Sequence, residues 1–308
     1  MKQDIIITEV GPRDGLQNEK APLSREQKSE LINRLLASGI DQIEIGSFVN
    51  PKAVPAMADT DSLVHGTNSK ASALKIGLIM NDRGLDRALE AKVDGVCIVT
   101  VVSETLCLKN NNRSAQQALD MALHLSKRAK ENKLWTRIDV APAWVCPYEG
   151  ATSQEQLIRT IDPLWELAPD ELALCDTIGH ANPYAVSKTF ETLGERYDRS
   201  RLAAHFHDTK SLGLANATAA LLQGIRRFDA SIGGLGGCPF APGAKGNLAT
   251  EDLVHLCHSM GFKTGIDESQ LWSTVDFMEK SVGRPLGGHS RTWFQTQKAK
   301  QDKIQKEL

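Results

Sequence analysis

The sequence predicts an α/β protein of the (β/α)8 barrel type, a TIM barrel, with a C-terminal helical extension and a glycine-rich lid after strand eight. Three observations predict it. Apolar, β-branched runs alternate with amphipathic stretches from end to end, eight times over. The first strand–helix turn, Gly11–Gly15, lacks the GxGxxG pattern that a doubly wound open sheet would want there. Residues suited to chemistry fall where the predicted strands end: Arg13 and Asp14 after the first, Glu44 late in the second, Asp139 and Asp176 at the fifth and sixth, His205 and His207 at the seventh, Cys238 after the eighth. Barrel active sites lie at that carboxyl-terminal face.

Taken in order, Ile5–Val10 is a near-continuous apolar run, as expected of a strand buried on both faces. A helix follows from Ser24, with Leu31, Ile32, Leu35 and Leu36 on one face and Gly39 as its stop. Strand two is Gln42–Ile45, strand three Leu74–Ile79 with helix Gly84–Ala91, and strand four Gly95–Val102 with a polar turn and a helix around Ser114–Glu131. Strand five, Thr136–Val140, leads through a proline-rich loop to a helix near Gln154–Leu167. Strand six is Glu171–Leu174 with a helix after Pro183, and strand seven is Leu202–His207 with a helix from about Leu214 to Gln223. Strand eight, Phe228–Ile232, feeds the glycine-rich stretch. The last barrel helix starts after Asn247, with Thr250 as its N-cap and Glu251 and Asp252 in its first turn. The barrel thus covers about 5–260 of one 308-residue domain, and 261–308 is an extension with one further helix at 266–282 and a lysine-rich, solvated or frayed tail.

Composition narrows the class. Hydrophobic content of 41% and charged content of 24% are those of a globular protein. A net charge of −2 gives no electrostatic reason to expect nucleic acid as partner, and no apolar run is long enough for a membrane span. Cysteines at 97, 107, 146, 175, 238 and 257 show no CxxC pairing and read as reduced thiols. With no signal-peptide pattern at the N-terminus, a cytoplasmic location is expected. The oligomeric state, dimer or tetramer included, is left open.

Ser231–Asn247 reads SIGGLGGCPFAPGAKGN, with six glycines and two prolines in seventeen residues. It cannot be a helix interior or a central strand, and glycine permits close backbone approach to a ligand. A plain linker would favour serine and would not need the thiol of Cys238; the alternative is that Cys238 is a small core residue. An active-site lid fits better.

In a strand, residues i and i+2 share a face, so His205 and His207 enter the barrel while Phe206 packs outward. Two converging imidazoles with a carboxylate, Asp14, form a divalent-metal site; the alternative is two histidines satisfied by core hydrogen bonds. Asn247 adds a neutral amide oxygen, which suits Mg²⁺ or Mn²⁺ better than zinc. A zinc hydrolase would put its HxH pair on an early strand and add histidines where this chain has Asp139 and Asp176. Arg13, beside Asp14, is either a structural partner of Glu44 or a guanidinium facing a developing enolate oxygen, and the two roles are compatible. Gln17 and Glu19 are either loop anchors or site residues.

Several segments carry a family resemblance: VGPRDGLQNE at 10–19, IEIGSFVNPKAVPAMAD at 43–59, HFHDT at 205–209 and GGLGGCPFAPGAKGNLATEDLV at 233–254, supported by SETLCLKN at 103–110 and CPYEG at 146–150. From about residue 5 to about 260 the chain resembles the 3-hydroxy-3-methylglutaryl-CoA (HMG-CoA) lyases. The resemblance implies a metal-dependent barrel that splits an acyl-CoA, HMG-CoA, into acetyl-CoA and acetoacetate. Claisen-type synthases of the wider superfamily share the Arg-Asp pair and the His-x-His but not the cysteine-bearing loop. Matched motif by motif, Asp14, His205, His207 and Asn247 correspond to the metal ligands, Arg13 to the arginine that polarises the thioester carbonyl, Glu44 to an essential acid and Cys238 to the loop cysteine. Arg13, Gln17 and Ser47 are the candidate substrate-binding residues. The intact ligand set argues against a catalytically dead scaffold.

Retro-aldol cleavage needs a base for the tertiary hydroxyl, a sink for the enolate and an acid to protonate it. Asp14 or His205 is the candidate base, Arg13 faces the enolate, and Cys238 donates the proton when the loop closes. A thiol with a pKa of about 8.5 is mostly protonated at neutral pH. Departures from the family pattern gather beside the pocket mouth: Lys210-Ser211 for Tyr-Gly, Lys245 for a small residue, His180-Ala181 after DTIG and Ala141–Trp144 before CPYEG. They leave the chemistry intact and bear on the acyl group. For the CoA phosphates the candidates are Lys109, Asn110 and Arg113, or Arg284, His289 and Arg291.

Overall fold

The computed structural model describes residues 4–21, 23–67, 73–237 and 246–307. Its parallel strands close a barrel: β1 Ile6–Glu9, β2 Gln42–Ser47, β3 Leu74–Ile79, β4 Gly95–Val101, β5 Trp135–Ala141, β6 Glu171–Asp176, β7 Leu202–Phe206 and β8 Arg227–Ala230. Each pairs with the next in sequence, and β8 pairs back onto β1, so the expected barrel is the fold the chain adopts. Side-chain alternation sorts the two faces. In β6, Leu172 and Leu174 join the apolar cluster beneath the helices, leaving Glu171, Ala173 and Cys175 for the interior face.

The first helix, α1 Arg25–Ala37, starts where a reciprocal capping box forms between Ser24 and Gln27. Its Leu31, Ile32 and Leu35 are fully buried, each such burial contributing roughly 1.5–3 kcal/mol. It ends before Gly39, whose φ of +98° and close approach to the Gly265 carbonyl leave no room for a Cβ. A short helix, α2 Thr60–Gly66, occupies the loop before β3, where none was expected. After β3, α3 Asp82–Ala91 starts two residues early, because Asn81 caps it by accepting from the Gly84 N–H.

The expected polar turn after β4 is itself a helix, α4 Glu104–Asn111, capped by Ser103. Its apolar residues make no one-sided stripe, since Leu106 and Cys107 are buried and Leu108 is half exposed. Capping boxes at Ser114 and Ser153 start α5 Ala115–Glu131 and α6 Gln154–Glu166. Between β5 and α6 the proline-rich loop folds into a small antiparallel pair, Val145–Cys146 with Gly150–Ala151. Asn182 caps α7 Pro183–Gly194, and α8 Gly213–Leu222 follows β7.

One expectation near the C-terminus is corrected. Thr250 is not an N-cap: α9 Thr250–Ser259 begins behind Ala249, and the Thr250 hydroxyl donates instead to Glu9 Oε2 at 2.6 Å. Glu251 and Asp252 stand in the first turn as expected, buried there as acceptors for backbone N–H groups. The extension holds α10 Glu268–Val282, packed on α1, and its end, expected as a solvated or frayed tail, is a helix, α11 Arg291–Glu307. No helix among the described residues is long and apolar enough to cross a membrane.

Candidate active site

The site is built where β1, β2 and β7 end. Past Glu9 the chain turns so tightly that the Val10 carbonyl accepts from the N–H groups of Arg13, Asp14 and Gly15, which throws Arg13 and Asp14 across the barrel mouth. Glu9 pins the turn: Oε1 accepts from the Gly11 N–H at 2.7 Å and the Ile232 N–H at 2.9 Å. Because Oε2 takes the Thr250 hydroxyl, one buried carboxyl ties β1, the root of the glycine-rich stretch and α9 together. Burial pushes that carboxyl up to about 7.

Arg13 is buried and turns Nε and Nη2 to Glu44 Oε2, both at 2.8 Å, while Nη1 donates to Asp14 Oδ1 at 2.7 Å. The structural partnership with Glu44 is therefore real, and it aims the guanidinium. Burial pushes Glu44 up to about 7, with Arg13 opposing the shift, and its Oε1 is buried without a hydrogen bond. Burial acts upward on Asp14 too, but Arg13, His205 and His207 outweigh it and hold the carboxyl well below the usual range.

The His-Phe-His alternation is as expected. Phe206 packs outward against Trp144 with ring centroids 5.4 Å apart, and the imidazoles of His205 and His207 lie 5.1 Å apart. His205 Nδ1 meets Asp229 Oδ2 at 2.8 Å. Burial pulls the His205 pKa down, but the Asp229 hydrogen bond and charge more than reverse this, so the net shift is upward. His207 lacks such a partner; burial and the neighbouring His205 push it down to about 4, and its Nδ1 makes no hydrogen bond. A main-chain bridge sets Asn247 beside His207, and its Nδ2 donates to Asp14 Oδ2 at 2.8 Å and to the Leu235 carbonyl at 3.0 Å. Asn247 Oδ1 is left buried and unpaired.

Asp14, His205 and His207 each offer a ligand atom, all within 4.8 Å of one another. With the orphaned amide oxygen of Asn247, the donor set of two nitrogens and two oxygens fits a divalent cation; each Asp14 oxygen accepts one hydrogen bond and keeps a lone pair for it. Beside it lies a cavity of about 910 Å³, lined by Asn247, Asp208, Glu19, Arg284 and His289 among others.

Six of the sequence candidates thus meet at one place: Arg13, Asp14, Glu44, His205, His207 and Asn247. Ser47 ends β2 with its hydroxyl buried and unpaired, its backbone stapled to Thr60. Gln17 is half-buried in the loop after β1, and no hydrogen bond among the described residues joins it to the cluster. Cys238 and Lys245 lie outside the described residues. Of the phosphate candidates, Arg291 is held by Glu279 and Asp276, and Lys109 sits 4.1 Å over the Tyr148 ring. Arg284 pairs with Glu19 at 2.6 Å and His289 with Asp208 at 3.5 Å, both on the cavity wall. Ser211 adopts a left-handed φ of +58°, a conformation that glycine takes without strain. Glu9 and Asp229 escaped the sequence reading. Register was the available signal for Asp229, which stands level with His205 in the β8–β7 pairing.

Fold and site together define a TIM-barrel protein with a candidate divalent-metal centre and an arginine at the carboxyl ends of its strands. The chain belongs to the HMGL-like family, whose model matches residues 4–278. It is 40% identical to a hydroxymethylglutaryl-CoA lyase of Bacillus subtilis over 95% of this chain and 98% of that one. It is 38% identical to an (R)-citramalyl-CoA lyase of Chloroflexus aurantiacus, covering 92% of each. Among solved structures, an HMG-CoA lyase from Acinetobacter baumannii in complex with coenzyme A and 3-methylmalate superposes with a TM-score of 0.89 at 35% identity, covering 94% of both chains.

Proposed function

We propose that this chain is a divalent-metal-dependent carbon–carbon lyase that cleaves HMG-CoA to acetyl-CoA and acetoacetate. The observation that carries the reading is Arg13, clamped by Glu44 and laid against Asp14 of the metal cluster. Relatives named as lyases favour this over a Claisen-type synthase.

Asp14, His205, His207 and Asn247 would hold the cation, with Mg²⁺ or Mn²⁺ suited to the oxygen share of the set. Once bound, it would acidify the substrate's tertiary hydroxyl and hold that oxygen beside the substrate carboxylate. His205, with Nδ1 against Asp229, would offer Nε2 to that cation. Asp14 is then the group to accept the hydroxyl proton; its depressed pKa makes the transfer transient. As the bond between C2 and C3 breaks, C3 becomes the ketone of acetoacetate and the electron pair moves to the thioester enolate. Arg13 faces the enolate oxygen with donors that neither Glu44 nor Asp14 uses. Cys238 is assigned the last step from its sequence context: its thiol protonates C2 and completes acetyl-CoA. Arg284 and His289, on the wall of the adjoining cavity, are the basic side chains best placed for the CoA phosphates.

A panel of 3-hydroxyacyl-CoA thioesters, HMG-CoA and citramalyl-CoA included, tests the reading with and without Mg²⁺. Turnover is expected to be fastest on HMG-CoA. A clear preference for citramalyl-CoA would move the acyl assignment, and Lys210 and His180 at the mouth would be the first residues to exchange. Condensation of acetyl-CoA with a keto acid, without cleavage, would overturn the lyase assignment.

A further inference from the structure

We infer that Asp229, gripped by Arg137, is a positioning residue that locks the His205 ring so that Nε2 presents its lone pair to the cation site. The inference rests on the metal reading proposed above.

The β8–β7 register sets Asp229 opposite His205, and Asp229 Oδ2 lies 2.8 Å from Nδ1. A neutral imidazole carries its hydrogen on one nitrogen only. A carboxylate against Nδ1 keeps the hydrogen there and leaves Nε2 as the lone-pair nitrogen, the arrangement seen where a carboxylate backs a metal-bound histidine.

Asp229 is itself immobilised. Arg137 grips it as a fork, Nη1 to Oδ1 at 2.8 Å and Nη2 to Oδ2 at 2.5 Å. The same guanidinium donates to Asp139 at 2.7 Å and to Glu171 at 2.7 Å. Glu171 takes Arg227 at 2.9 Å, and Arg227 reaches the Ser200 carbonyl at 2.7 Å. A chain of charged hydrogen bonds thus crosses the barrel interior from the Arg227 end to His205. Ala173 and Ala203 alternate onto the same interior face, and their small size leaves the guanidinium room to cross.

Stability alone does not explain the arrangement. Barrel interiors are ordinarily filled by branched apolar side chains, and replacing buried ion pairs by such residues is often neutral or stabilising. The brace is also selective: His207, the other imidazole of the pair, has no carboxylate behind its Nδ1.

Mn²⁺ titration of the full chain, read by the electron paramagnetic resonance of free Mn²⁺, tests the inference without substrate. Asp229→Asn is expected to weaken Mn²⁺ binding about 10–100-fold, the usual cost of losing such a backing group. Arg137→Lys keeps the charge but loses the fork, and should weaken binding in the same direction by less. Lys28→Met breaks the ion pair of buried Lys28 with Asp59, which lies outside this network, and should lower Tm while leaving Mn²⁺ affinity unchanged, which separates positioning from plain stability. Should Asp229→Asn fail to fold, ¹⁵N imidazole spectra of the unsubstituted chain decide, with the His205 signals identified by their loss in His205→Gln. At alkaline pH, where the ring is neutral, a proton on Nδ1 supports the inference and a proton on Nε2 instead overturns it, as does unchanged Mn²⁺ affinity in folded Asp229→Asn. If Asp14→Ala and His207→Ala also bind Mn²⁺ as the parent does, the metal reading fails and this inference with it. If those two lose Mn²⁺ and Asp229→Asn keeps it, only the positioning role falls.

Discussion

Asn247 Nδ2 donates to Asp14 Oδ2 at 2.8 Å, joining residues 233 positions apart. The contact closes the mouth of the barrel between the turn after β1 and the segment that leads into α9. It also spends the amide's donor on Asp14 and leaves Oδ1 free for a cation.

Changing this amide to a carboxylate should therefore act in two directions. Asn247→Asp sets a second negative oxygen against Asp14, so the metal-free protein should melt earlier than the parent. Mn²⁺ relieves the repulsion and should raise the variant's Tm by more than it raises the parent's. Thermal melts with and without Mn²⁺ check both signs, and Asn247→Ala should lose turnover and metal affinity together.

Arg13→Lys keeps a cation but cannot span Glu44 and Asp14 at once. Loss of one such donor costs roughly 10²–10³ in kcat, with KM changed far less. Steady-state kinetics on HMG-CoA separate the two parameters; normal kcat with a raised KM would make Arg13 a binding residue instead.

Glu251 links Gly233 and Gly288 by accepting both N–H groups, and burial pushes its carboxyl from 4.5 up to about 7. The folded state therefore holds this proton more tightly than the unfolded chain. Its contribution to stability is complete below pH 4.5 and is lost as pH rises through 7, a change on the order of a few kcal/mol. Glu251→Gln cannot titrate and presents an amide N–H₂ to one of the two donors. Its Tm should be lower at acidic pH, and the gap to the parent should narrow between pH 5 and pH 8. A gap that widens over that range would contradict the assignment.

Cys97, Cys107, Cys146, Cys175 and Cys257 are buried, and burial raises the Cys97 and Cys175 thiols well above their ordinary value. Thiol-directed alkylation should accordingly find one fast site. Peptide mapping is expected to identify Cys238, with inactivation that a product analogue slows. Cys238→Ser should lose turnover while retaining Mn²⁺; normal turnover would return the proton donation to water or a histidine.

The barrel was legible because strands buried on both faces read as apolar runs that alternate with amphipathic stretches. Arg13, Asp14, Glu44, His205 and His207 were legible because they stand late in strands or just past their ends, and Asn247 because it closes the glycine-rich stretch. Glu9 and Asp229 were not. A carboxylate inside a strand carries no local sign of whether it faces solvent or another polar group across the barrel, and only register reveals the partner. The start of α9 was misplaced for a related reason: Thr250 is a favoured cap type, yet a distant carboxyl, Glu9, claims its hydroxyl. Helices α2 and α4 are too short to show a one-sided apolar stripe.

The central claim, that a cation held by Asp14, His205, His207 and Asn247 is needed to split HMG-CoA, is tested most directly by metal add-back. Chelator-treated protein would be assayed for acetoacetate released from HMG-CoA, then again after Mg²⁺ or Mn²⁺ is restored. The expected result is no release from the stripped protein and full recovery on add-back, with no recovery in His207→Ala. Undiminished acetoacetate release from the metal-free protein would contradict the account.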